Sequence, residues 1–379
     1  MSEESHNILV LAEEFYPSRS GGAFAKWEFC KHAAGMGHDV TVFTTRDMDE
    51  ARSENINNIS IYRPIGVPRV GAYSWAERII RIFISIPLAV STIRWVWRND
   101  IDVVFSTSHL THWIGTLIST LFNKPLVSFV GYTPSVSPDP ELNLLYLLET
   151  VNFRLFFGQV SFCRSDRTAE QLKKTGNSDI KVVNGILDAE LLQDVKDHTD
   201  RKEVRKELGF DDESTLITFV GRFSPIKRPG IAVDIVSELP ETYHLMFVGD
   251  GPLRPEIERD ARRRNLTDRT TFTGELSHED ALRAILASDA LIITSEVESY
   301  SATGLEAAVL GTPLFSTPVG VLPQLDSNIV TIARPHKLVT LIEKSSLERA
   351  GFDSELLNRH SGEHFAREIM DGMNELLNE

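Results

Sequence analysis

Two positively charged side chains follow one apolar run, where they could neutralise an anionic ligand. The stretch VGRFSPIKRPG places Arg222 directly after the predicted strand STLITFV and Lys227 five residues later, across a turn that contains Pro225. Ligands of open α/β sheets bind beyond the carboxyl ends of the strands, so we expect both cations at that edge. There they would match the charge of a nucleotide diphosphate without magnesium. The alternative is a solvated turn that carries two surface cations.

Two glutamates farther along the chain have a spacing that suits the recognition of hydroxyl groups. Glu298 falls in the loop after the predicted strand DALIITS, and Glu306 falls in the first turns of the helix ATGLEAAVL, with seven residues between them. A carboxylate accepts hydrogen bonds from a vicinal diol, so Glu306 suits a ribose and Glu298 suits a hexose hydroxyl. The free amides of the helix N-terminus make Ser301, Ala302 and Thr303 a candidate phosphate cradle. The alternative is an ordinary helix whose acidic residues are favoured by its dipole.

The elements that must position these groups follow an alternating pattern. Short β-rich runs are separated by helical stretches or Gly/Pro turns, which is typical of a parallel sheet covered by helices. The runs of the first half are NILVL, HDVTVFTT, IDVVFSTS and PLVSFVGY, and those of the second half are STLITFVGR, HLMFVGDG, TTFTG, DALIITS and TPLFSTP. The sequence therefore predicts an α/β protein with two Rossmann-like domains.

The domain boundary is marked by a change in composition. The charge-rich helical stretch AELLQDVKDHTDRKEVRKELG follows the first set of runs, and we place the boundary near Leu187. The predicted domains are residues 1–187 and residues 188–360. Residues 361–379 contain apolar side chains at helical spacing, so we expect a final amphipathic helix that needs a partner surface.

The composition indicates a folded soluble chain and excludes several functional classes. With 379 residues, 42% apolar and 25% charged, the chain is long enough for two domains and too polar for a membrane bundle. Its formal charge of −15 repels phosphate backbones and argues against a nucleic-acid partner. Cys30 and Cys163 have no neighbouring metal-ligand spacing, so we expect neither a disulfide nor a metal site, and a cytoplasmic location. The opening MSEESHN lacks the lysines of a secretory signal.

Residues 75–98, WAERIIRIFISIPLAVSTIRWVWR, form a basic and apolar segment within this acidic protein. Its tryptophans and arginines suit the boundary of an anionic bilayer, so peripheral docking on a membrane surface is one interpretation. The other is a core-facing helix of the first domain whose arginines reach water. In both interpretations Pro87 is expected to kink or end the helix.

The chain resembles the GT-B glycosyltransferases of family 4, which are retaining, nucleotide-sugar-dependent enzymes, over nearly its whole length. Glu298 and Glu306 match the Glu-x7-Glu motif of the family, and the run LEAAVLGTP matches its LEA-x-x-x-GxP pattern. Further matches are FYPSRSGG, KVVNGILD, the VGR-to-Lys element, VGDGP and FTGELSHED. The resemblance implies two Rossmann-like domains that face a central cleft, with the C-terminal helix returning to the first domain.

The resemblance also implies roles for the charged residues. Arg222 and Lys227 would hold the donor diphosphate, Glu306 the ribose and Glu298 the transferred sugar. Transfer would proceed on the front face with retained configuration, and the departing phosphate oxygen would take the acceptor proton. No metal or other cofactor is expected, because the nucleotide-diphosphate sugar is a co-substrate and the cations stabilise the leaving group.

Other parts of the donor site are implied by matches to backbone-binding positions. In the Gly21–Gly22 loop, the absence of a Cβ atom would let the chain approach the donor phosphate closely. The base would lie near Gly274, Glu275 and Leu276, where backbone groups would bind it.

Two regions depart from the family pattern. Ser299 and Ser301 stand where glycines usually flank the aromatic residue, so the phosphate loop gains hydroxyl donors and stiffness. Val130 occupies the place of a histidine that the family often carries in the first domain. Nearby candidates for an active or acceptor-side residue are His109, His112 and Tyr132, each of which could equally be a packing or loop residue.

Several functions remain open at this level. If residues 75–98 dock on a membrane, the acceptor would be a lipid-linked glycan, a glycolipid or a surface-polysaccharide precursor. The rival functions are a nucleotide-sugar 2-epimerase of GT-B fold and a non-catalytic binding protein. A dinucleotide dehydrogenase is disfavoured because SRSGG lacks the spaced glycines of that fingerprint.

Overall fold

The computed structural model describes residues 5–18, 21–47, 49–66, 75–131, 151–177, 179–211 and 213–378, without the side chains of residues 75–82, 109 and 167. The chain divides into two compact units. The N-terminal unit comprises residues 1–186 together with residues 360–379, and the C-terminal unit comprises residues 187–359.

The N-terminal unit is built on an eight-stranded sheet with the order β3-β4-β2-β1-β5-β6-β7-β8. The β3 strand is antiparallel to β4 and the other neighbouring pairs are parallel. The strands are β1 (Asn7–Leu11), β2 (Asp39–Arg46), β3 (Ser53–Ile56), β4 (Ile59–Gly66), β5 (Val103–Ser106), β6 (Leu126–Val130), β7 (Val160–Cys163) and β8 (Ile180–Val182). Every residue of β5, β6 and β7 is buried, as expected for central strands that helices cover on both faces.

The helices of the N-terminal unit come from both ends of the chain. Among the described residues they include α1 (Gly21–Gly35), α2 (Trp75–Val96), α3 (His109–Phe122), α4 (Asp166–Lys173) and α13 (Gly362–Leu377). The apolar face of α13, with Phe365, Ile369 and Met373, is buried in the same core as the α1 residues Phe29 and Ala33. The partner surface that this amphipathic helix requires is therefore the N-terminal unit.

Of the two effects expected of Pro87, a kink or an end of the helix, the structure excludes the second. The α2 helix continues through this exposed residue to Val96. On its inner side Leu88, Ala89 and Thr92 are buried, and the Thr92 hydroxyl donates to the Leu88 carbonyl (2.8 Å). Packing of this face compensates for the hydrogen bond that proline cannot donate. Within the described residues, we find no helix whose length and hydropathy suffice to cross a bilayer.

The C-terminal unit contains a six-stranded parallel sheet with the order β11-β10-β9-β12-β13-β14. The strands are β9 (Thr215–Val220), β10 (Tyr243–Val248), β11 (Thr270–Gly274), β12 (Ala290–Ile293), β13 (Leu314–Ser316) and β14 (Val330–Ile332). The helices are α5 (Ala189–His198), α6 (Arg201–Glu207), α7 (Gly230–Glu238), α8 (Arg254–Arg263), α9 (His278–Ala287), α10 (Ala302–Val309), α11 (Pro335–Lys344) and α12 (Ser354–Arg359). The β9 and β12 strands are neighbours although they lie far apart in sequence, so the strand order reverses between them.

Candidate functional site

The reversal between β9 and β12 brings together the two loops that carry the predicted charged residues. The loop after β9 contains Arg222 and Lys227, and the loop after β12 contains Glu298. Both loops start at the carboxyl edge of the sheet because all six strands are parallel. Such a switch point is the usual ligand site of a doubly wound sheet.

These two loops are held together by a set of hydrogen bonds around Arg228, which we call the Arg228 clasp. The guanidinium of Arg228 donates to the carbonyls of Thr294 and Ser295 (2.8 Å each). The Thr294 hydroxyl lies 2.9 Å from the carbonyls of Lys227 and Arg228, and the Glu296 amide donates to the Ile226 carbonyl (2.8 Å). Arg228 adopts a left-handed backbone with φ of 48°. Sequence analysis missed this residue, since its role depends on a neighbouring loop 66 residues away.

Lys227 and Glu298 are in direct contact. The Lys227 ammonium lies 2.9 Å from Oε1 of Glu298, and the Ser295 hydroxyl donates to the same oxygen (2.6 Å). The Glu298 side chain is only 12% exposed, so its charge is compensated by the lysine where little water is available. Both hydrogen bonds fall on Oε1, and Oε2 has no partner among the described residues. That oxygen is available to a ligand hydroxyl.

Arg222 stands in the same loop without a charged partner. Its side chain is exposed, and within the described part of the chain its guanidinium makes no ion pair. The backbone around it is fixed by the loop after β10, since the Phe223 amide donates to the Asp250 carbonyl (2.9 Å). A Cβ atom at Gly249 would lie 2.3 Å from the Gly221 carbonyl oxygen, so glycine is required for this close approach. The loop thus presents a free cation on a rigid backbone.

The N-terminus of α10 provides the third part of the site. Ser301 precedes the helix in a left-handed conformation (φ 74°, ψ 62°) and is 4% exposed. Its buried hydroxyl has no hydrogen-bond partner among the described residues. Ala302 and Thr303 are half-buried in the first turn of α10. The predicted cradle residues thus lie at a helix N-terminus, with one strained residue and one hydroxyl that has no partner among the described residues, and their binding of phosphate stays a prediction.

Glu306 has a partner that sequence analysis did not identify. It lies within α10, is 8% exposed, and its Oε1 is 2.8 Å from Nε2 of His278 at the start of α9. Burial lowers the pKa of His278, but the hydrogen bond and charge of Glu306, together with the charge of Asp188, outweigh that effect and raise the pKa above its ordinary value. His278 lies in the matching run FTGELSHED, but nothing in that run predicts its contact with Glu306.

The predicted base-binding stretch lies between β11 and α9. Gly274 ends β11 in a left-handed conformation (φ 76°), and its carbonyl accepts a hydrogen bond from the Gly249 amide (2.8 Å). Glu275 is exposed, and Leu276 is half-buried against a small apolar cluster that includes Met246. This places Leu276 two residues before His278.

In the N-terminal unit, the Gly21–Gly22 pair begins α1 after the loop that follows β1. Three carbonyls of that loop accept hydrogen bonds from Thr45 (2.6 Å), Lys26 (3.0 Å) and Arg63 (2.6 Å). Burial lowers the pKa of Lys26, against the charges of neighbouring glutamates that raise it. The strand order of this sheet reverses between β1 and β5, so the Gly21–Gly22 loop also stands at a switch point.

The acceptor-side candidates have different outcomes. His112 is fully buried, and its Nδ1 lies 2.8 Å from the Ser106 hydroxyl, which favours its interpretation as a packing residue. Val130 is also fully buried at the end of β6. The His109 side chain and Tyr132 lie outside the described residues, and their predicted role stays a prediction.

Two doubly wound Rossmann-like units, with charged loops at a switch point and a helix that returns to the first unit, define the GT-B fold class. Comparison with known proteins supports this class. Residues 21–191 match the model described as Glycosyltransferase Family 4, and residues 200–331 match the model described as Glycosyl transferases group 1. The chain belongs to the group 1 glycosyltransferase family.

Individual relatives are distant. D-inositol 3-phosphate glycosyltransferase from Mycobacterium sp. (strain KMS) is 29% identical over 218 residues, which cover 56% of this chain and 48% of that protein. The chain thus spans about half the length of the curated relatives it matches.

Solved structures share the fold over nearly the whole chain. Sucrose-phosphate synthase from Thermosynechococcus elongatus has a TM-score of 0.80 at 16% identity and covers 98% of this chain and 99% of its own. HepE from Anabaena, solved with UDP-glucose, has a TM-score of 0.74 at 17% identity and covers 98% of this chain and 100% of its own. At these identities the likeness establishes the fold alone.

Proposed function

We propose that the protein transfers a hexosyl unit from a nucleotide-diphosphate sugar to a hydroxyl acceptor with retention of configuration. The observation that carries this proposal is the contact between Lys227 and Glu298 on two loops held by the Arg228 clasp. In this proposal the cation stabilises the leaving diphosphate and the adjacent acid binds the sugar. HepE was solved with UDP-glucose, which makes UDP-sugars the first donors to test.

The chemistry follows from where charge develops. As the sugar departs, its C1 acquires oxocarbenium character and negative charge grows on the leaving phosphate oxygen. Arg222, Lys227 and the amides at the start of α10 stabilise that charge electrostatically, so we propose that no metal is required. The bond from C1 to the acceptor oxygen forms on the face from which the diphosphate leaves. The acceptor proton passes to the departing phosphate oxygen, so no side-chain nucleophile is needed.

The two glutamates bind hydroxyl groups in this proposal. Glu298 offers Oε2 to the transferred sugar, since Lys227 and Ser295 both contact Oε1. Glu306 accepts from the ribose diol of the nucleotide. Because each carboxylate is already compensated by a cationic or hydrogen-bonding partner, an anionic diphosphate can approach with less repulsion.

A donor panel and one charge deletion test this function. UDP-, GDP- and ADP-sugars should be screened by thermal stabilisation, where a ligand at a hundred times its Kd adds about 2.7 kcal/mol to the free energy of unfolding. With the donor that binds, Arg222→Ala should lower turnover roughly a hundredfold, because one preorganised cation is lost from the transition state. Arg259→Ala, an exposed arginine on α8, is the matched control. Wild-type turnover in Arg222→Ala would refute the role of this cation.

We further propose that the acceptor is lipid-linked and reached at an anionic membrane surface. Three apolar side chains on one face of α2 and a fourth, directly after the helix, are strongly exposed; Arg94 in the last turn and Arg98 just beyond it are also exposed. The apolar residues, with exposed fractions of 67%, 51%, 60% and 80%, are Phe83, Ile86, Val90 and Trp97. We call this surface the α2 stripe. An exposed apolar face with flanking cations is the composition of an interfacial helix.

Vesicle flotation tests the α2 stripe. The protein should float with phosphatidylglycerol vesicles, less so with phosphatidylcholine vesicles, and salt should weaken the binding. The pair Arg94→Glu and Arg98→Glu should abolish it, whereas Arg262→Glu with Arg263→Glu on α8 makes the same charge change elsewhere. Equal flotation of both double variants would contradict the proposal. The relative named above acts on an inositol phosphate, so transfer to a soluble sugar phosphate without any vesicle binding would also contradict it.

A further inference from the structure

We propose that His278 is a positioning residue for the nucleotide ribose, which it serves by holding Glu306, and that its protonation makes donor binding depend on pH. This inference rests on the proposed function, because Glu306 binds a ribose only if a nucleotide sugar is the donor. The observation behind it is the contact between two side chains that come from different helices, 28 residues apart in sequence.

The backbone around His278 is fixed, so the imidazole starts from a defined position. Ser277 caps α9: its hydroxyl accepts from the Asp280 amide (3.1 Å) and donates to the Asp280 carboxylate (2.7 Å). The segment that follows the partner helix α10 is also bonded to α9, since the Thr312 hydroxyl donates to the Ile285 carbonyl (3.0 Å). The contact between His278 and Glu306 is therefore held at both ends.

The Glu306 carboxylate keeps enough hydrogen-bond acceptor positions to bind a ribose. A carboxylate has about four lone-pair positions on its two oxygens. His278 occupies one position, on Oε1 of Glu306, and no other side chain among the described residues bonds to this carboxylate. The remaining positions suffice for the two hydroxyls of a vicinal diol. His278 thus fixes the rotation of the carboxylate without competing for the ligand.

The charges that face His278 are mainly acidic. Glu306 on α10 and Asp188 at the N-cap of α5 both favour the imidazolium. Glu279 and Asp280 lie in the first turn of its own helix, where the Asp280 carboxylate is bonded to Ser277 (2.7 Å) and Arg283 (3.3 Å). The neighbouring helix α6 contributes Glu207, which is paired with Arg283 of α9 (3.0 Å) and so adds little net charge. These surroundings keep His278 protonated to a higher pH than an isolated histidine.

The sign of the pH effect follows. Below the raised pKa of His278, the imidazolium neutralises Glu306 and a diphosphate meets no net charge from the pair. Above it, the pair carries one negative charge beside the donor. In a largely solvated site, one additional negative charge near the diphosphate corresponds to a roughly threefold to tenfold loss of donor affinity. The KM for the donor should therefore rise with pH while kcat stays constant.

Three proteins separate the positioning of Glu306 from the pH-dependent charge of His278: the wild type, His278→Gln and His278→Ala. Glutamine keeps a neutral hydrogen-bond donor, so its donor KM should match the high-pH value of the wild type and should not depend on pH between about pH 6 and about pH 9. Alanine should raise KM at all pH values, because Glu306 loses its anchor. His336→Gln, an exposed histidine on α11, is the matched control and should behave as the wild type.

A titration of the ligand-free protein by NMR gives a second measurement that needs no activity. The imidazole resonance of His278 should titrate above the ordinary histidine value in the wild type and return towards it in Glu306→Gln. A flat KM profile in the active wild type, the same profile in His278→Gln, or no change of the titration in Glu306→Gln would each overturn the inference alone. If the wild type binds and uses no nucleotide sugar, the proposed function fails and the inference fails with it.

Discussion

Replacement of Ser301 by glycine should stabilise the protein and weaken donor binding at the same time. Ser301 holds a left-handed backbone with φ of 74° and ψ of 62°. For a residue with a Cβ atom this conformation costs about 1–2 kcal/mol. The strain cannot relax locally, because Gly320 packs against the Tyr300–Ser301 peptide: a Cβ atom at Gly320 would lie 2.3 Å from the Tyr300 carbonyl oxygen.

The magnitude combines three contributions. Glycine removes the backbone strain and also removes a buried hydroxyl that has no partner among the described residues, a group whose burial costs about 1–3 kcal/mol. Glycine in turn favours the unfolded chain by about 0.5–1 kcal/mol. We therefore expect Ser301→Gly to raise the free energy of unfolding by about 2 kcal/mol. Loss of a hydrogen bond to a charged phosphate should raise the donor Kd roughly tenfold.

Urea unfolding and calorimetric titration with the nucleotide sugar measure the two effects. Ser301→Ala is the control, because it removes the hydroxyl and keeps the strain, and it should weaken binding with a smaller gain in stability. Lower stability of Ser301→Gly would refute the assignment of backbone strain. Unchanged donor affinity in both variants would refute the role of the hydroxyl.

Three further predictions concern the loops and the thiols. Arg228→Ala should lower kcat/KM at least about tenfold, because the Arg228 clasp is lost. Arg228→Gly should be the more stable of the two variants, because glycine adopts the left-handed backbone without strain. Steady-state kinetics and urea unfolding check this, and wild-type kinetics in both variants would contradict it. Gly320→Ala should destabilise the protein by at least about 2 kcal/mol, because its Cβ atom would clash with backbone that cannot move aside; an unchanged urea midpoint would show that the loop yields. Burial raises the pKa of the Cys30 thiol and raises the pKa of the Cys163 thiol to about 11. Both thiols should therefore resist alkylation in the native protein at neutral pH and react only on unfolding or at strongly alkaline pH. Rapid labelling of the native protein would contradict this.

Much of the fold followed from local patterns. The alternation of apolar runs and helical stretches predicted parallel sheets, because the periodicity of each segment depends only on its own residues. The amphipathic spacing around Phe365 predicted that the last helix is buried on one face, and the core confirms this. The family inferred from the Glu298 and Glu306 spacing is confirmed by the match of residues 200–331 to the group 1 glycosyltransferases. Local pattern could not decide between a kink and an end at Pro87, because packing on the inner face of α2 maintains a helix that proline alone disfavours.

The pairing of side chains between loops was decided by the tertiary structure. Lys227 and Glu298 are 71 residues apart, and they meet because β12 lies beside β9 in a sheet whose order reverses there. The same arrangement creates the Arg228 clasp, and the packing of α9 against α10 joins His278 to Glu306. The sequence determined which groups stand at the ends of strands, since strand and turn propensities are local. Strand order and helix packing are collective properties of the folded core, so only the folded chain determines which of these groups are in contact.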